Sequence, residues 1–205
     1  MIAIVDYGIN NLASVRNAFC KVGAEVEVTA DRTVIGRADG VVLPGIGSAA
    51  AGMRQILDRG LAEPLRQAAE SGRPFLAICL GMQLLFESSQ EQNARCLGIL
   101  PGTVALLDVT LKVPQIGWNR VQTASDRPMW AGLAEDPYFY FVHSYVCEPS
   151  DSALIAGRTT YGTAFCSAVE RDHIWGTQFH PERSAAAGLS LIANFASRCG
   201  SLQPS

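Results

Sequence analysis

Short, almost wholly apolar runs alternate with helix-period stretches through the first half of this chain, and that pattern leaves few folds open besides strands joined by crossover helices into a parallel sheet. Ile2 to Val5 reads as the first strand. A helix is expected from about Leu12 to Val22, with Gly23 placed to end it in a left-handed cap. Glu25 to Val28 alternates as a strand, and Gly40 to Leu43 is a third that stops at Pro44-Gly45-Ile46-Gly47. Two helical stretches follow. The second has Pro64 at its expected first position and ends near Ser71-Gly72, after which Pro74 to Ile78 is apolar throughout, as a central strand should be. From Thr103 the runs turn β-branched and aromatic, separated by Gly, Pro and Asp, which reads as strands and hairpins extending the sheet. Tyr138 to Val146 and His173 to Phe179 are the clearest of these, and Ala185 to Cys199 is a closing amphipathic helix. With no repeat or linker, the 205 residues read as one α/β domain, 1–205. Its expected form is flavodoxin-like, with three layers in which helices flank a mixed, mostly parallel sheet.

Composition removes several function classes. Charged residues make up 17% of the chain, the formal net charge is -3 and there are no Lys/Arg runs, so the chain carries no electrostatic footprint for nucleic acid or an anionic membrane. Small molecules and proteins remain as partners. Met1 to Asn10 lacks a basic flank and reads as a buried strand, not a signal peptide, and no later apolar run approaches the roughly 20 residues of a membrane span. The six cysteines show no CxxC pairing, so reduced thiols in the cytoplasm are expected. Five of them read as small core fillers. Cys79 alone sits in a context that suggests chemistry.

That context is Phe75-Leu76-Ala77-Ile78-Cys79-Leu80-Gly81-Met82-Gln83, a buried strand running into a helix with a small residue two places to either side of the cysteine. A tight strand-to-helix turn needs little bulk at those places, and it lifts the nucleophile clear of the sheet. The helix start favours a thiolate, and the Leu80 N–H would face the oxygen of an attacked carbonyl. Taken alone, the same pattern fits a buried cysteine at a helix start. The Gly45-Ile46-Gly47 loop adds a place where backbone can approach a ligand or donate to an oxyanion, although an ordinary β-to-α turn would look the same. Only three histidines are available as a base. His173 reads as a solvated residue at a hairpin tip, which leaves His143 and His180. His180 closes a strand and precedes Pro181-Glu182, and residues two apart in extended chain face the same way, so Glu182 can hold one imidazole nitrogen while the other faces the thiol. Metal binding is the competing use of Cys, His and Glu, but zinc-type ligand spacing is missing, and neither a metal nor a cofactor is expected.

These segments, with Asp6-Tyr7-Gly8, Leu43-Pro44-Gly45-Ile46-Gly47, Gly117-Trp118-Asn119, Tyr140-Phe141-Val142-His143-Ser144-Tyr145 and Gln178-Phe179-His180-Pro181-Glu182-Arg183-Ser184, resemble the class I (triad) glutamine amidotransferases. More narrowly they are similar to the histidine-biosynthetic branch, the glutaminase subunits of imidazole glycerol phosphate synthases. The resemblance implies L-glutamine as substrate and Cys79, His180 and Glu182 as catalytic triad. It puts the oxyanion at Leu80 and the loop Gly45, Ile46 and Gly47, and glutamine contacts at Gln83, Glu91, His143, Ser144 and Tyr145. It further implies a heterodimer with a (β/α)8-barrel cyclase, with Asn11, Tyr140 and Arg183 at the interface, little activity without that partner, and a Pro44 to Gly47 loop that must reorient before catalysis. Two residues depart from the family pattern: Ala77 stands where glycine is usual, tolerable if its backbone keeps strand angles, and Asn10 stands where a small residue is expected. An amidotransferase feeding another synthase, for example in amino-sugar assembly, and a non-catalytic docking subunit are the alternatives.

Overall fold

The computed structural model describes residues 1–8, 11–124 and 127–200, so the Asn10 departure lies outside the described residues. The alternating first half folds as β1 (Ile2–Val5), α1 (Leu12–Lys21), β2 (Val26–Thr29), α2 (Arg32–Arg37), β3 (Gly40–Leu43), α3 (Ala49–Asp58), α4 (Ala62–Glu70), β4 (Phe75–Ile78) and α5 (Leu80–Leu84). The remainder adds β5 (Ser88–Ser89), β6 (Ala94–Arg95), β7 (Gly102–Leu106), β8 (Gln115–Arg120), β9 (Gln122–Thr123), β10 (Tyr138–His143), β11 (Tyr145–Pro149), β12 (Ile155–Tyr161), β13 (Thr163–Arg171), β14 (Ile174–Thr177) and α6 (Ala185–Arg198).

The main sheet runs β2-β1-β3-β4-β14-β13-β11-β7-β5-β6, with β12 and β9 branching from β13. From β2 to β14 every pairing is parallel, and β13 and β11 continue the sheet antiparallel. β1, β3, β4 and β14 are buried along their whole length because helices cover both faces. The two-residue period of the strands sorts their side chains between two cores. Ala3, Val5, Val41, Leu43, Phe75 and Ala77 pack toward Ile35, Met53, Ile56 and Leu65 of α2, α3 and α4. Ile2, Ile4, Val42, Leu76 and Ile78 pack toward Val15 and Phe19 of α1 and Leu191, Ile192 and Phe195 of α6.

Several expectations are corrected. Pro64 is the third residue of α4, a position whose N–H also lacks a helical partner, and not the first. α2 was not anticipated; Asp31 caps it by accepting from the Thr33 N–H at 2.7 Å. Tyr138 to Val146 is two strands. β10 pairs antiparallel with β8 in a separate ribbon, the chain bends at Ser144, and β11 joins the main sheet beside β7. Cys20 is exposed on α1, whereas Cys96, Cys147, Cys166 and Cys199 are buried as expected. His173 is half-buried, and its Nε2 lies 2.6 Å from the Ala69 carbonyl oxygen near the end of α4.

Candidate active site

Three parallel strands deliver the site at their carboxyl ends, where open α/β sheets gather ligand-binding groups. β4 passes into α5 through Cys79, whose φ of 54° and ψ of -109° are strained for a residue with a side chain. Glycine makes that turn possible. A Cβ at Gly81 would overlap the Leu43 carbonyl oxygen, and one at Gly45 would come within 2.6 Å of the Gly81 nitrogen, so the elbow and the loop after β3 meet backbone to backbone. The Cys79 N–H donates to the Thr177 carbonyl at 2.6 Å, tying the bend to β14. Ala77 lies extended in β4, opposite Gly176 and Leu43 and fully buried, so its methyl fills core space.

The loop is fastened at both ends. The buried Tyr7 hydroxyl donates to the Pro44 carbonyl at 2.9 Å; burial, and secondarily Cys79, hold that phenol far above its ordinary pKa, so it stays a neutral donor. At the other end, the Ala49 N–H that opens α3 donates to Glu91 Oε2 at 2.7 Å.

His180 follows β14, its N–H held by the Tyr140 carbonyl at 2.9 Å. Glu182 reaches it from a 3-10 turn over Pro181–Arg183, and not by the strand alternation inferred from sequence. The contact is His180 Nδ1 to Glu182 Oε1 at 2.8 Å, with the two side chains 3% and 1% exposed. Asn11 Nδ2 donates to the same oxygen at 3.3 Å and so supports the carboxylate. Burial alone would lower the His180 pKa; the neighbouring Cys79 sulfur and the Glu182 carboxylate outweigh it and raise the value to about 10. The carboxylate occupies Nδ1, and Nε2 has no hydrogen-bond partner.

Cys79 and His180 open onto a cavity of about 390 Å³ that also gathers Ile46, Gly47, Leu80, Gln83, Glu91, His143, Ser144, Tyr145, Asn11 and Arg183. Gly45 lies beneath, in a narrow cleft shared with Glu182. Tyr140 stands apart on the β8–β10 ribbon, half-buried and edge-on to Trp118 at 6.2 Å between centroids. His143 has both ring nitrogens engaged: Nδ1 donates to the Tyr145 carbonyl at 2.9 Å, and Nε2 faces the Gln115 side-chain amide at 3.1 Å, which must present its NH2 to a neutral ring. Burial, with the nearby His180 adding to it against the Tyr145 bond, lowers its pKa to about 4 and keeps it neutral, a wall of the cavity and not a base. Sequence reasoning missed Gln178, which is fully buried and places Nε2 3.7 Å from Cys79 Sγ. Its two-residue spacing from His180 was the available signal. Among the described residues, no three His, Cys, Asp or Glu side chains gather to hold a metal.

A cysteine on a strained elbow, an imidazole held by a buried carboxylate and a backbone loop beside a cavity form a constellation for nucleophilic attack on an acyl carbon. The chain is 48% identical to the imidazole glycerol phosphate synthase subunit HisH of Synechococcus elongatus, across 98% of this chain and 95% of that protein. It is 46% identical to the subunit of the same name from Methanothermobacter thermautotrophicus, across 95% and 97%. A crystal structure of a glutamine amidotransferase superposes with a TM-score of 0.77 at 16% identity, covering 98% of this chain and 100% of that one, which shows a shared fold. The family described as glutamine amidotransferase class-I matches residues 3–199, and this chain belongs to it.

Proposed function

We propose that this chain is the glutaminase subunit of an imidazole glycerol phosphate synthase, hydrolysing L-glutamine and passing the ammonia to a cyclase subunit for histidine biosynthesis. The observation that carries the chemistry is the His180 ring, fixed through Nδ1 by Glu182 at 2.8 Å and left with Nε2 free on the side of Cys79.

Cys79 attacks the side-chain amide carbon as a thiolate, and the carbonyl oxygen takes the negative charge toward the Leu80 N–H and the Gly45, Ile46 and Gly47 loop. His180 Nε2 gives its proton to the amide nitrogen, the C–N bond breaks, and ammonia leaves a thioester on the sulfur. The same nitrogen then takes a proton from water. Hydroxide adds to the thioester carbon, the C–S bond breaks, and glutamate departs as the imidazolium and the thiolate are restored. Gln83, Glu91, His143, Ser144 and Tyr145 frame the glutamine, with Glu91 suited to its ammonium group. The ammonia acceptor is a cyclase of (β/α)8-barrel form, docked as a heterodimer through Asn11, Tyr140 and Arg183. The chain works as one cytoplasmic domain.

The test is glutamate release from glutamine by the chain paired with such a cyclase. It should be readily detected, fall to background in Cys79→Ala, and support formation of the imidazole ring by the pair. Release that survives Cys79→Ala defeats the mechanism; release without ring formation redirects the ammonia to another synthase.

A further inference from the structure

The Tyr145 carbonyl has a consequence for the nucleophile, which lies three hydrogen bonds away. A carbonyl oxygen only accepts, so the group 3.1 Å from it on Gln83 is the side-chain NH2. The same NH2 lies 3.1 Å from the side-chain oxygen of Gln178, which must therefore be its acceptor. With its oxygen committed to Gln83, Gln178 can turn only its NH2 toward Cys79 Sγ, at 3.7 Å. Flipping either amide would set oxygen against oxygen or NH2 against NH2, so one backbone carbonyl fixes the direction of the whole relay. The backbone of Gln178 is held as well, its N–H donating to the Ser167 carbonyl at 2.9 Å. Both amides are buried, Gln83 at 5% exposure and Gln178 at 0%, which strengthens the hydrogen bonds they make.

We propose that Gln178 is a catalytic residue that donates a hydrogen bond to the Cys79 sulfur and stabilises it as the anion, with Gln83 as the positioning residue that aims it. This deepens the amidotransferase reading and rests on Cys79 being the nucleophile. The sulfur then faces two groups of different kinds: the His180 imidazolium, which gives its proton away during turnover, and the Gln178 amide, which never does. Gln178 keeps the sulfur a good leaving group while the thioester is hydrolysed and His180 is acting as base.

The experiment measures alkylation of Cys79 by iodoacetamide in the full-length chain, where the thiolate displaces iodide, alongside glutamate release with the cyclase partner. Gln178→Met keeps the bulk and removes the donor, and Gln178→Glu keeps an acceptor for Gln83 but faces the sulfur with oxygen. At neutral pH both should alkylate about 10-fold more slowly than wild type, the size expected for one hydrogen bond to a charged atom. The deficit should close to within about twofold near pH ~10, where thiols ionise without help. Glutamate release should lose kcat with KM nearly unchanged. Neutral-pH alkylation within about twofold of wild type, or a deficit that persists unchanged at high pH, overturns the proposal, since a packing role alone would not track sulfur ionisation. Wild-type Cys79 that resists alkylation, or whose alkylation spares glutamate release, would instead remove the nucleophile assignment. Should both variants fail to fold, the 15N-labelled side-chain amide of Gln178 in wild type must shift when Cys79 is alkylated, and an unmoved resonance overturns the proposal.

Discussion

Glu182→Gln keeps the outline of the side chain and removes the charge that holds the His180 ring. In the glutamate-release assay with the cyclase, kcat should fall about 100-fold, at the low end of what a positioned acid-base group contributes, with KM nearly constant. The same pair shapes stability. His180 is raised from 6.5 to about 10 in the folded chain, so it binds its proton more tightly folded than unfolded. Its contribution is complete below pH 6.5 and is lost as pH rises through about 10; the melting temperature of wild type should decline over that window, and less steeply in Glu182→Gln. His143 has the opposite sign. Lowered from 6.5 to about 4, it adds stability that is present above 6.5 and lost as pH falls toward 4, and His143→Gln should flatten that acid limb in thermal melts. Cys79, His180 and Glu182 were legible in the sequence because Gly81 lies two places after the cysteine and Pro181 stands between the other two, each marking a turn. Gln178 was not, because its role comes from Gln83, which is distant in sequence and meets it only across the fold.

The elbow is the element most sensitive to a single methyl. Gly81→Ala would press a Cβ into the Leu43 carbonyl, a backbone atom that cannot rotate away, and should destabilise the chain by more than about 2 kcal/mol in denaturant unfolding. Ala77→Gly, toward the family pattern, should also destabilise, by about 1–2 kcal/mol from the lost buried methyl and the added freedom of the unfolded chain. The parallel half was readable because β1, β3 and β4, buried on both faces, are apolar throughout. α2 escaped because it spans six residues of which only Ile35 is buried, too short for a helical period to show. The ribbon escaped for another reason: β10 and β11 are separated only by Ser144, with no glycine or proline between, so two strands in different sheets read as one.

The whole molecule is a sheet held between two helical layers, and its stability depends on both. Phe195 of α6, fully buried, meets Phe19 and Trp175 edge-on at 6.1 and 5.8 Å between centroids; Phe195→Ala should cost about 3–5 kcal/mol in denaturant unfolding. Tyr140→Ala on the ribbon should leave the fold intact and weaken association with the cyclase about 10-fold by calorimetry, as loss of an aromatic contact does when it anchors an interface. The alternation of side chains along β4 carries a further consequence for how such a chain can change over time. Removing one residue between Phe75 and Ile78 would invert the strand's parity, handing each layer the other's side chains and turning the sulfur away from its imidazole. Length changes in that strand are therefore confined to even numbers, which keeps the stretch that presents the cysteine locked in phase.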